Sequence, residues 1–407
     1  MGNMIIGQSG GPTAVINASL AGAYSYAKEA GISKVYGMLG GIQGLIEEKY
    51  INLDDFLKTP EDISILRQTP SAALGSCRFK LPPVTETELY EKIFAILKKL
   101  DIAYFIYIGG NDSMDTIDKL SQYASLTGSD IRFMGVPKTI DNDLPITDHT
   151  PGYGSAAKYI STAVKEIIGD SGVYYLKSIT VIEIMGRNAG WLAATAALSK
   201  GDDCCGPDMI YLPEYSFDIE ECEKKISELF KKKNAIIIAV SEALKDKDGN
   251  LIGEGGSVYA EEDAFGHKIM SGVGQFLAQH LGKKFGVKAR GIEINTLQRC
   301  AAHYMSAQDN DEAFAVGAKS AKAAISGETG KITVIIRTNN NPYSYEIKTA
   351  DIGDIANIEK KLPLEWIDID NAYIRQEFID YCLPLIQGEI HPIMKNGLPV
   401  HTKFIKS

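Results

Sequence analysis

Short apolar runs alternate with longer amphipathic stretches along almost the whole chain. The apolar runs are rich in Ile, Val, Phe and Tyr, and most end at Gly, Pro or polar residues, which is typical of buried strands. The predicted strands are 4–7, 104–108, 132–136, 179–184, 235–240, 291–296 and 332–336. The predicted helices are 14–30, 88–100, 151–168, 188–200, 264–281 and 312–325.

This alternation predicts an α/β fold with mostly parallel sheets, right-handed crossovers and helices on both faces. The number of strands favours two such three-layer, Rossmann-like domains over one. Ligands of these folds bind at the carboxyl ends of the strands. Because the Gly-rich and acidic segments of this chain all follow predicted strands, we expect them to converge.

Composition limits the classes of partner. The chain has 407 residues, of which 45% are hydrophobic and 23% are charged, and its net charge is -10. The negative charge argues against nucleic acid or an anionic membrane as the main partner. No run is long enough to span a membrane, and the first residues lack the pattern of a secretion signal. Adjacent Cys204 and Cys205 favour reduced thiols, so we expect a cytoplasmic protein, with a zinc site as a poor alternative.

Two Gly-rich turns follow predicted strands and precede helices. In the first turn, Gly10 and Gly11 allow the backbone to approach an anion at a helix N-terminus. A plain tight turn is the alternative. The second turn, Gly109-Gly110-Asn111-Asp112-Ser113, adds side chains that can bind metal or phosphate. Its alternative is helix capping by Asp112 or Ser113, which can coexist with ligand binding.

An acidic loop at residues 136–147 holds the most informative side chains. Asp141 and Asp143 lie two residues apart, so in an extended segment they share one side while Asn142 points away. Crowded carboxylates repel unless cations lie among them, and nearby Lys138 suggests that the missing partner is a phosphate. One carboxylate can accept a proton from an attacking hydroxyl while the other holds magnesium. An Asx-rich surface turn is the alternative.

Three further strand ends carry charges suited to a sugar phosphate. Arg187 stands before a predicted helix, and Glu242 ends a strand and can accept hydrogen bonds from sugar hydroxyls. Arg290 and Arg299 lie nine residues apart across another predicted strand. Each charge alone is more often a solvated end or part of an ion pair.

Taken together, these segments resemble the phosphofructokinases over nearly the whole chain. The matching residues are Gly10-Gly11, Gly109-Gly110, Asp112-Ser113, Thr139-Ile140-Asp141-Asn142-Asp143, Met185-Gly186-Arg187, Glu242 and Gln298-Arg299. The resemblance implies that Asp141 is the general base on the 1-hydroxyl of fructose 6-phosphate, with Lys138 and Arg187 also catalytic. The implied sugar phosphate site is Thr139, Asp141, Met185, Gly186, Arg187, Glu242, Arg290 and Arg299.

The donor follows from two departures. Where ATP-dependent members typically carry glycine, this chain has Asp112 and Lys138. Asp112 adds bulk and negative charge where a nucleotide would pass, and Lys138 offers a cation to a smaller donor. This pair resembles the pyrophosphate-dependent branch, which implies reversible, Mg²⁺-dependent transfer to fructose 6-phosphate in glycolysis. The implied donor site is Gly10, Gly11, Gly109, Gly110, Asp112, Ser113 and Lys138, and the implied metal ligands are Asp112, Asp143 and Asn111.

The resemblance also implies an organisation. Residues 1–150 and about 305–365 would form the donor domain, and 151–304 and about 366–407 the sugar domain, with the active site in the cleft between them. Family members share sugar sites across subunits, which implies a homo-oligomer, a dimer or a tetramer. Thr296 and Ser178 replace a histidine and an arginine of ATP-dependent relatives, and Lys177 is a candidate substitute. The alternatives are an ATP-dependent 6-phosphofructokinase and a non-catalytic regulatory subunit, against which the complete Thr139–Asp143 run argues.

Overall fold

The computed structural model describes residues 2–186, 188–253 and 272–404. The described chain forms two compact units. The first contains the described residues of Met1–Ser155, Arg299–Glu359 and Gln387–Ser407, and the second those of Ala156–Gln298 and Lys360–Ile386. This division differs from the expected one mainly at the C-terminal end, where the described residues after 386 belong to the first unit.

The strands are short and are separated by longer helices, as the apolar pattern predicts. The strands are β1 (Asn3–Gln8), β2 (Val35–Met38), β3 (Tyr50–Asn52), β4 (Ile102–Gly109), β5 (Arg132–Pro137), β6 (Ser178–Ile184), β7 (Met209–Tyr211), β8 (Ala235–Ser241), β9 (Lys288–Glu293), β10 (Lys331–Asn340), β11 (Tyr343–Asp351), β12 (Ile367–Asp368), β13 (Tyr373–Ile374), β14 (Met394–Lys395) and β15 (Leu398–Pro399).

The α-helices differ widely in length. They are α1 (Ile16–Glu29), α2 (Gly41–Ile46), α3 (Pro60–Gln68), α4 (Thr87–Lys99), α5 (Asn111–Thr127), α6 (Tyr153–Ser171), α7 (Trp191–Ala194), α8 (Ile219–Leu229), α9 (Val273–Phe285), α10 (Leu297–Cys300), α11 (Ala307–Ile325) and α12 (Gln376–Cys382). Short 3₁₀ turns are Leu53–Asp55, Thr195–Ser199, Ala302–Tyr304, Ile352–Asp354, Leu364–Trp366 and Leu383–Ile386. Over the described ranges, no helix is both long and apolar enough to span a bilayer.

In the described part of the first unit, a seven-stranded sheet has the order β11-β10-β5-β4-β1-β2-β3. Its inner strands are parallel, and antiparallel β11 and β3 close the two edges. Successive β1 side chains point to opposite faces. Ile6 packs with Ile16 of α1 and Val316 of α11, whereas Ile5 packs with Ile93 of α4. The sheet is therefore the middle of three layers.

In the described part of the second unit, a parallel four-stranded sheet has the order β7-β8-β6-β9. Val181 and Ile238 of this sheet pack against Ile226 of α8 and Leu277 of α9. The expected α/β class with mostly parallel sheets is confirmed. In both units, turns at the carboxyl ends of parallel strands carry most of the candidate site residues, whereas Arg290 lies inside β9 and Arg299 in α10.

The apolar runs locate the central strands better than the edge strands. Each predicted strand overlaps an observed one, although β9 starts and ends about three residues before its predicted position. Edge strand β11 was not predicted because it has no continuous apolar run, although its alternating polar and apolar residues are typical of a half-buried strand. The helix predicted at 188–200 is instead short α7 followed by a 3₁₀ turn. The start of the helix predicted at 264–281 lies outside the described residues, and α9 continues to Phe285.

Candidate active site

The first glycine turn brings basic side chains close to the backbone. Gly10 has a φ of +76°, which favours glycine. A Cβ on Gly10 would lie 3.1 Å from Nζ of Lys138, and a Cβ on Gly11 would lie 3.5 Å from Nη1 of Arg299. Helix α1 starts at Ile16, so the predicted start at residue 14 was wrong and Pro12 lies outside the helix. Anion binding at this turn stays a prediction, and the contacts above place two basic side chains beside it.

The second glycine turn leads directly into α5. A Cβ on Gly109 would lie 2.0 Å from Oγ of Ser113, so only glycine permits this approach. Gly110 caps α5 through its carbonyl, which accepts the N–H of Ser113 at 3.0 Å, and no side chain caps the helix. The capping alternative for Asp112 or Ser113 is therefore wrong. Asp112 is instead 3.2 Å from Nζ of Lys80.

The Asn111 side chain is engaged with the backbone of a neighbouring segment. Its Nδ2 donates to the Ile358 carbonyl at 2.7 Å, and its Oδ1 accepts the N–H of Asn357. These contacts tie the start of α5 to residues 357–358. The role of Asn111 as a metal ligand stays a prediction. The observed contacts show that its side chain connects α5 to the backbone of a neighbouring segment.

The two turns on which the donor prediction depends meet in space. Gly109 pairs with Pro137 at the carboxyl ends of adjacent parallel strands β4 and β5. The next residue, Lys138, donates its backbone N–H to the Gly109 carbonyl at 3.0 Å. A Cβ on Gly110 would lie 3.5 Å from the Lys138 carbonyl. Lys138 and the turn that carries Asp112 are therefore parts of one local structure.

Lys138 is a buried cation directed at the first glycine turn. Its side chain is 3% exposed, and Nζ donates to the Gly11 carbonyl at 2.7 Å. Burial lowers the pKa of Lys138 to about 8, although Asp141 and Asp143 oppose this shift. Arg299 and Arg78 lower the same pKa further. Lys138 therefore remains mostly protonated at pH 7, and a bound anion would stabilise its charge.

Thr139 holds Asp141 in a tight turn. The Asp141 N–H donates to Oγ1 of Thr139 at 3.1 Å, and the same hydroxyl donates to Oδ2 of Asp141 at 3.2 Å. Asn142 has a φ of +55° and is buried, with Oδ1 accepting the N–H of Thr150 at 3.1 Å. The expectation of an extended segment was therefore wrong. Asp141 and Asp143 are nevertheless both half-buried, whereas Asn142 between them is buried.

Residues 76–80 are a further candidate segment that was not recognised in the sequence. The Cys77 carbonyl accepts the Gly10 N–H at 3.4 Å, and Oγ of Ser76 donates to the Gly10 carbonyl at 2.6 Å. This packing places Arg78 close enough to influence Lys138 and Lys80 beside Asp112. The signal available in the sequence was the pair of basic residues in a Gly- and Ser-containing loop. The segment adds positive charge near Lys138 and Asp112.

In the second unit, two predicted sugar contacts lie together at the ends of β6 and β8. The Gly186 N–H donates to Oε1 of Glu242 at 3.1 Å. Gly186 has a φ of +142°, and its carbonyl accepts a hydrogen bond from Oγ of Ser241 at 3.1 Å. The Met185 N–H donates to Oε1 of Gln298 at 3.3 Å. Arg187, predicted to be catalytic, lies outside the described residues.

Arg290 does not join this group within one copy of the chain. It lies inside β9, opposite Thr180 of β6, whereas Gly186 lies six residues beyond Thr180. Because β6 ends at Ile184, a rise of about 3.3 Å per residue gives an upper limit of about 20 Å for their separation along the sheet. Arg290 is 3.5 Å from Asp170 and lines a cavity of about 690 Å³ together with Lys177 and Lys288. Arg299, in contrast, lies in the first unit beside Gly11.

The predicted metal ligands suit a magnesium ion that is also coordinated by a bound phosphate better than a metal site formed only by protein side chains. In the part of the chain that the structure describes, no three His, Cys, Asp or Glu side chains are grouped to hold a metal ion. Mg²⁺ commonly uses one or two carboxylates together with water and substrate phosphates. Asp143, whose charge acts on Lys138, fits that mode. The residues therefore fit a magnesium ion that arrives with its phosphate.

The chain is similar to known proteins over nearly its whole length. The family model described as "Phosphofructokinase" matches residues 3–324. The pyrophosphate--fructose 6-phosphate 1-phosphotransferase of Halomonas elongata is 39% identical over 409 residues, which cover 99% of this chain and 96% of the relative. The protein of the same name from Methylococcus capsulatus is 39% identical over 402 residues, covering 98% and 94%. The crystal structure of a pyrophosphate-dependent phosphofructokinase from Nitrosospira multiformis superposes with a TM-score of 0.88 at 35% identity, covering 98% of this chain and 96% of that one. The chain therefore belongs to the phosphofructokinase family.

Proposed function

We propose that this protein transfers a phosphoryl group reversibly from pyrophosphate to the 1-hydroxyl of fructose 6-phosphate. The products are fructose 1,6-bisphosphate and phosphate, which places the reaction in glycolysis. The observation that carries the proposal is the position of Lys138, a buried cation in contact with Gly11 and under the electrostatic influence of Asp141. The names of the relatives from Halomonas elongata and Methylococcus capsulatus support the same donor and acceptor.

The donor site combines glycine turns with several cations. Lys138, Arg78 and Arg299 supply positive charge close to Gly10 and Gly11, where the backbone lacks side chains. A compact diphosphate matches this concentrated charge, because its phosphates lie close together and carry no nucleoside. Asp112 is paired with Lys80, and we propose that its carboxylate narrows the same region. Together these features favour pyrophosphate over ATP.

Asp141 is the proposed base. Its carboxylate would accept the proton of the 1-hydroxyl as the hydroxyl oxygen forms a bond to the terminal phosphorus, and the bridging P–O bond breaks to release phosphate. Thr139 holds the Asp141 carboxylate through its hydroxyl, which limits the orientations of the base. Lys138 and, by resemblance, Arg187 would stabilise charge on the transferring group.

Magnesium is part of the proposal. A bound Mg²⁺ would neutralise part of the charge of pyrophosphate. Asp143 and Asp112 are the proposed protein ligands, with the donor and water completing the coordination. Glu242, Met185 and Gly186 are the proposed sugar contacts of the second unit, where the Glu242 carboxylate is already held by the Gly186 N–H.

We also propose a cytoplasmic homo-oligomer, a dimer or a tetramer. Val173, Tyr174, Tyr175 and Leu176 form a continuous run of exposed apolar residues, of which Tyr175 is 95% exposed. Such a run is costly to leave in water and suits a contact with a second copy. The same segment borders the cavity that Arg290 lines. Within one copy of the chain, Arg290 is distant from Gly186. A second copy would allow Arg290 to serve as a sugar contact.

A coupled assay of the purified chain tests the donor. With fructose 6-phosphate and Mg²⁺, we expect turnover with pyrophosphate and little or none with ATP. Activity with ATP alone would contradict the proposal and identify an ATP-dependent 6-phosphofructokinase. Inactivity with both donors, in a folded sample that includes Mg²⁺, would favour the regulatory-subunit alternative.

The same assay on a double variant tests the assignment of the donor residues. Changing Asp112→Gly and Lys138→Gly together removes the carboxylate that narrows the site and the cation that binds the smaller donor. We expect weaker use of pyrophosphate and detectable use of ATP, with each single variant as a control for additivity. An unchanged preference in a double variant that keeps its melting temperature would show that other residues choose the donor.

A further inference from the structure

A buried charge cluster lies directly behind the acidic loop. The His149 ring is 1% exposed and lies between two carboxylates, with Nδ1 2.8 Å from Oδ2 of Asp148 and Nε2 2.6 Å from Oε2 of Glu312. Glu312, on α11, also accepts hydrogen bonds from Gln308 at 2.9 Å and from the Tyr343 hydroxyl at 2.6 Å. A carboxylate faces each ring nitrogen, and both nitrogens can donate a hydrogen bond at once only when the ring is protonated. The two carboxylates therefore favour the protonated ring. The cluster therefore contains a buried imidazolium–carboxylate pair.

The next residue connects this cluster to the proposed base. Thr150 donates its N–H to Oδ1 of Asn142 at 3.1 Å and its hydroxyl to the Thr139 carbonyl at 2.7 Å. Thr139 and Asn142 flank Asp141 on either side, and the Thr139 hydroxyl also contacts the Asp141 carboxylate. A movement of His149 would therefore pass through Thr150 to the turn that presents Asp141.

Strand β10 holds the other side of the same segment. The Asp148 N–H donates to the Ile335 carbonyl at 2.8 Å, and the Ile335 N–H donates to Oγ1 of Thr147 at 3.0 Å. Nε and Nη2 of Arg337 donate to Oδ2 of Asp148 at 3.1 and 2.9 Å. Residues 147–150 are thus fixed by β10 on one side and by α11 on the other.

We propose that the His149–Glu312 pair is a positioning device for the catalytic loop, acting through Thr150 to hold the turn that presents Asp141. This inference rests on the proposed function for the role of Asp141. His149 and Glu312 are positioning residues, because their connection to Asp141 runs through Thr150, Thr139 and Asn142. Removing one partner of a buried ion pair leaves an uncompensated charge, which is costly, whereas replacing both partners by neutral groups costs less.

The charges around His149 set the pH range in which the device works. Burial alone would lower the pKa of His149, but the charge of Glu312 and hydrogen bonds to both carboxylates outweigh burial and raise this pKa to about 9. The titratable and charged groups around the pair are Asp148, Glu312, Arg337, Tyr343, Tyr345 and Asp309. Because the folded pKa exceeds the ordinary value of 6.5, the stabilisation is fully present below pH 6.5 and is lost as the pH rises through about 9.

The first test removes the charge of Glu312 while keeping its shape. In Glu312→Gln, we expect kcat to fall about tenfold or more at pH 7, with KM for both substrates within about threefold. The ratio of variant to wild-type kcat should fall further as the pH rises from 6.5 towards 9, because His149 in the variant loses its proton earlier. Using this ratio cancels the ionisation of the substrates.

Two matched variants sharpen this test. Glu223→Gln removes a carboxylate that contacts His280 at 2.8 Å in the second unit, and it should leave kcat unchanged. The double variant His149→Gln, Glu312→Gln has no buried charge in the pair. The fold loss of kcat in this double variant should be smaller than the product of the fold losses in Glu312→Gln alone and His149→Gln alone. The ratio of its kcat to that of the wild type should stay constant from pH 6.5 to about 8, where His149 of the wild type is still protonated, and should rise as the pH approaches about 9. Strictly additive losses with no pH dependence would overturn the proposal.

Hydrogen exchange measured by mass spectrometry provides a readout that does not depend on activity. In Glu312→Gln at pH 7, amides of residues 139–152 should exchange several-fold faster than in the wild type, and those of the β6–β8 sheet should not change. Unchanged exchange in residues 139–152 would overturn the positioning role. A wild-type chain that is inactive with pyrophosphate would instead contradict the proposed function, and the exchange result would still decide whether the pair holds the loop.

Discussion

Lys138 is a buried cation whose position supports its proposed role in selecting the phosphoryl donor. Its Nζ is held 2.7 Å from the Gly11 carbonyl, in a place where Gly10 and Gly11 leave room for an anion. Burial makes the charge of Lys138 less stable than in water, so binding of a phosphate relieves part of that cost. This arrangement supports the proposed preference for a compact, highly charged donor.

Asp141 provides the sharpest test of the proposed chemistry. Asp141→Ser removes the base but keeps a small polar side chain, so turnover should fall about a hundredfold to ten-thousandfold. The binding constant for fructose 6-phosphate should change little, because the other proposed sugar contacts remain. Steady-state kinetics and calorimetric titration measure the two quantities, and Asp130→Ser, at an exposed position, is the control. A large loss of sugar affinity with modest loss of turnover would assign Asp141 to binding.

The sequence singled out the charged side chains of the acidic loop but did not predict the conformation of its backbone. Asp141, Asp143 and Lys138 were recognisable because crowded carboxylates need cations. The left-handed conformation of Asn142 was not recognisable, because it depends on the hydrogen bond to Thr150, eight residues later. Arg78 was missed for a similar reason, since only packing of its loop against Gly10 brings it near Lys138.

Helices α1 and α11 pack in close contact at two glycines. A Cβ on Gly22 of α1 would lie 1.9 Å from the Phe314 carbonyl oxygen, and a Cβ on Gly317 of α11 would lie 2.0 Å from that of Ser19. Glycine at both positions allows the two backbones to touch. Because α11 also carries Glu312, the spacing of these helices bears on the cluster that holds the acidic loop.

Substitutions of two glycines should therefore have opposite effects on stability. Gly22→Ala forces the helices apart and should lower the free energy of unfolding by about 1–3 kcal/mol. Gly169→Ala, at an exposed position of α6 with nothing near the added Cβ, should raise it by about 0.5–1 kcal/mol. Thermal or urea unfolding measures both changes. Equal effects of the two substitutions would show that α1 and α11 can adjust without cost.

The exposed run from Val173 to Leu176 makes a testable prediction about assembly. Tyr175→Asp places a charge in a proposed contact between copies, so the mass measured by light scattering should shift towards the monomer. Leu126→Asp is the matched control, because Leu126 is also exposed and apolar, at 76%, but lies in the first unit on α5. If both variants keep the wild-type mass, the run is not part of an interface.

Across the whole molecule, the sequence by itself determined the α/β class, the central strands and the identities of most candidate site residues. It could do so because apolar runs, glycine pairs and crowded carboxylates are local signals. Only the tertiary structure decided that Lys138 meets the Gly109–Gly110 turn, that Arg299 lies beside Gly11 and that Arg290 lies far from Gly186. These relations depend on strand register and on contacts between residues distant in the chain. His149 and Glu312, 163 residues apart, became a pair for the same reason.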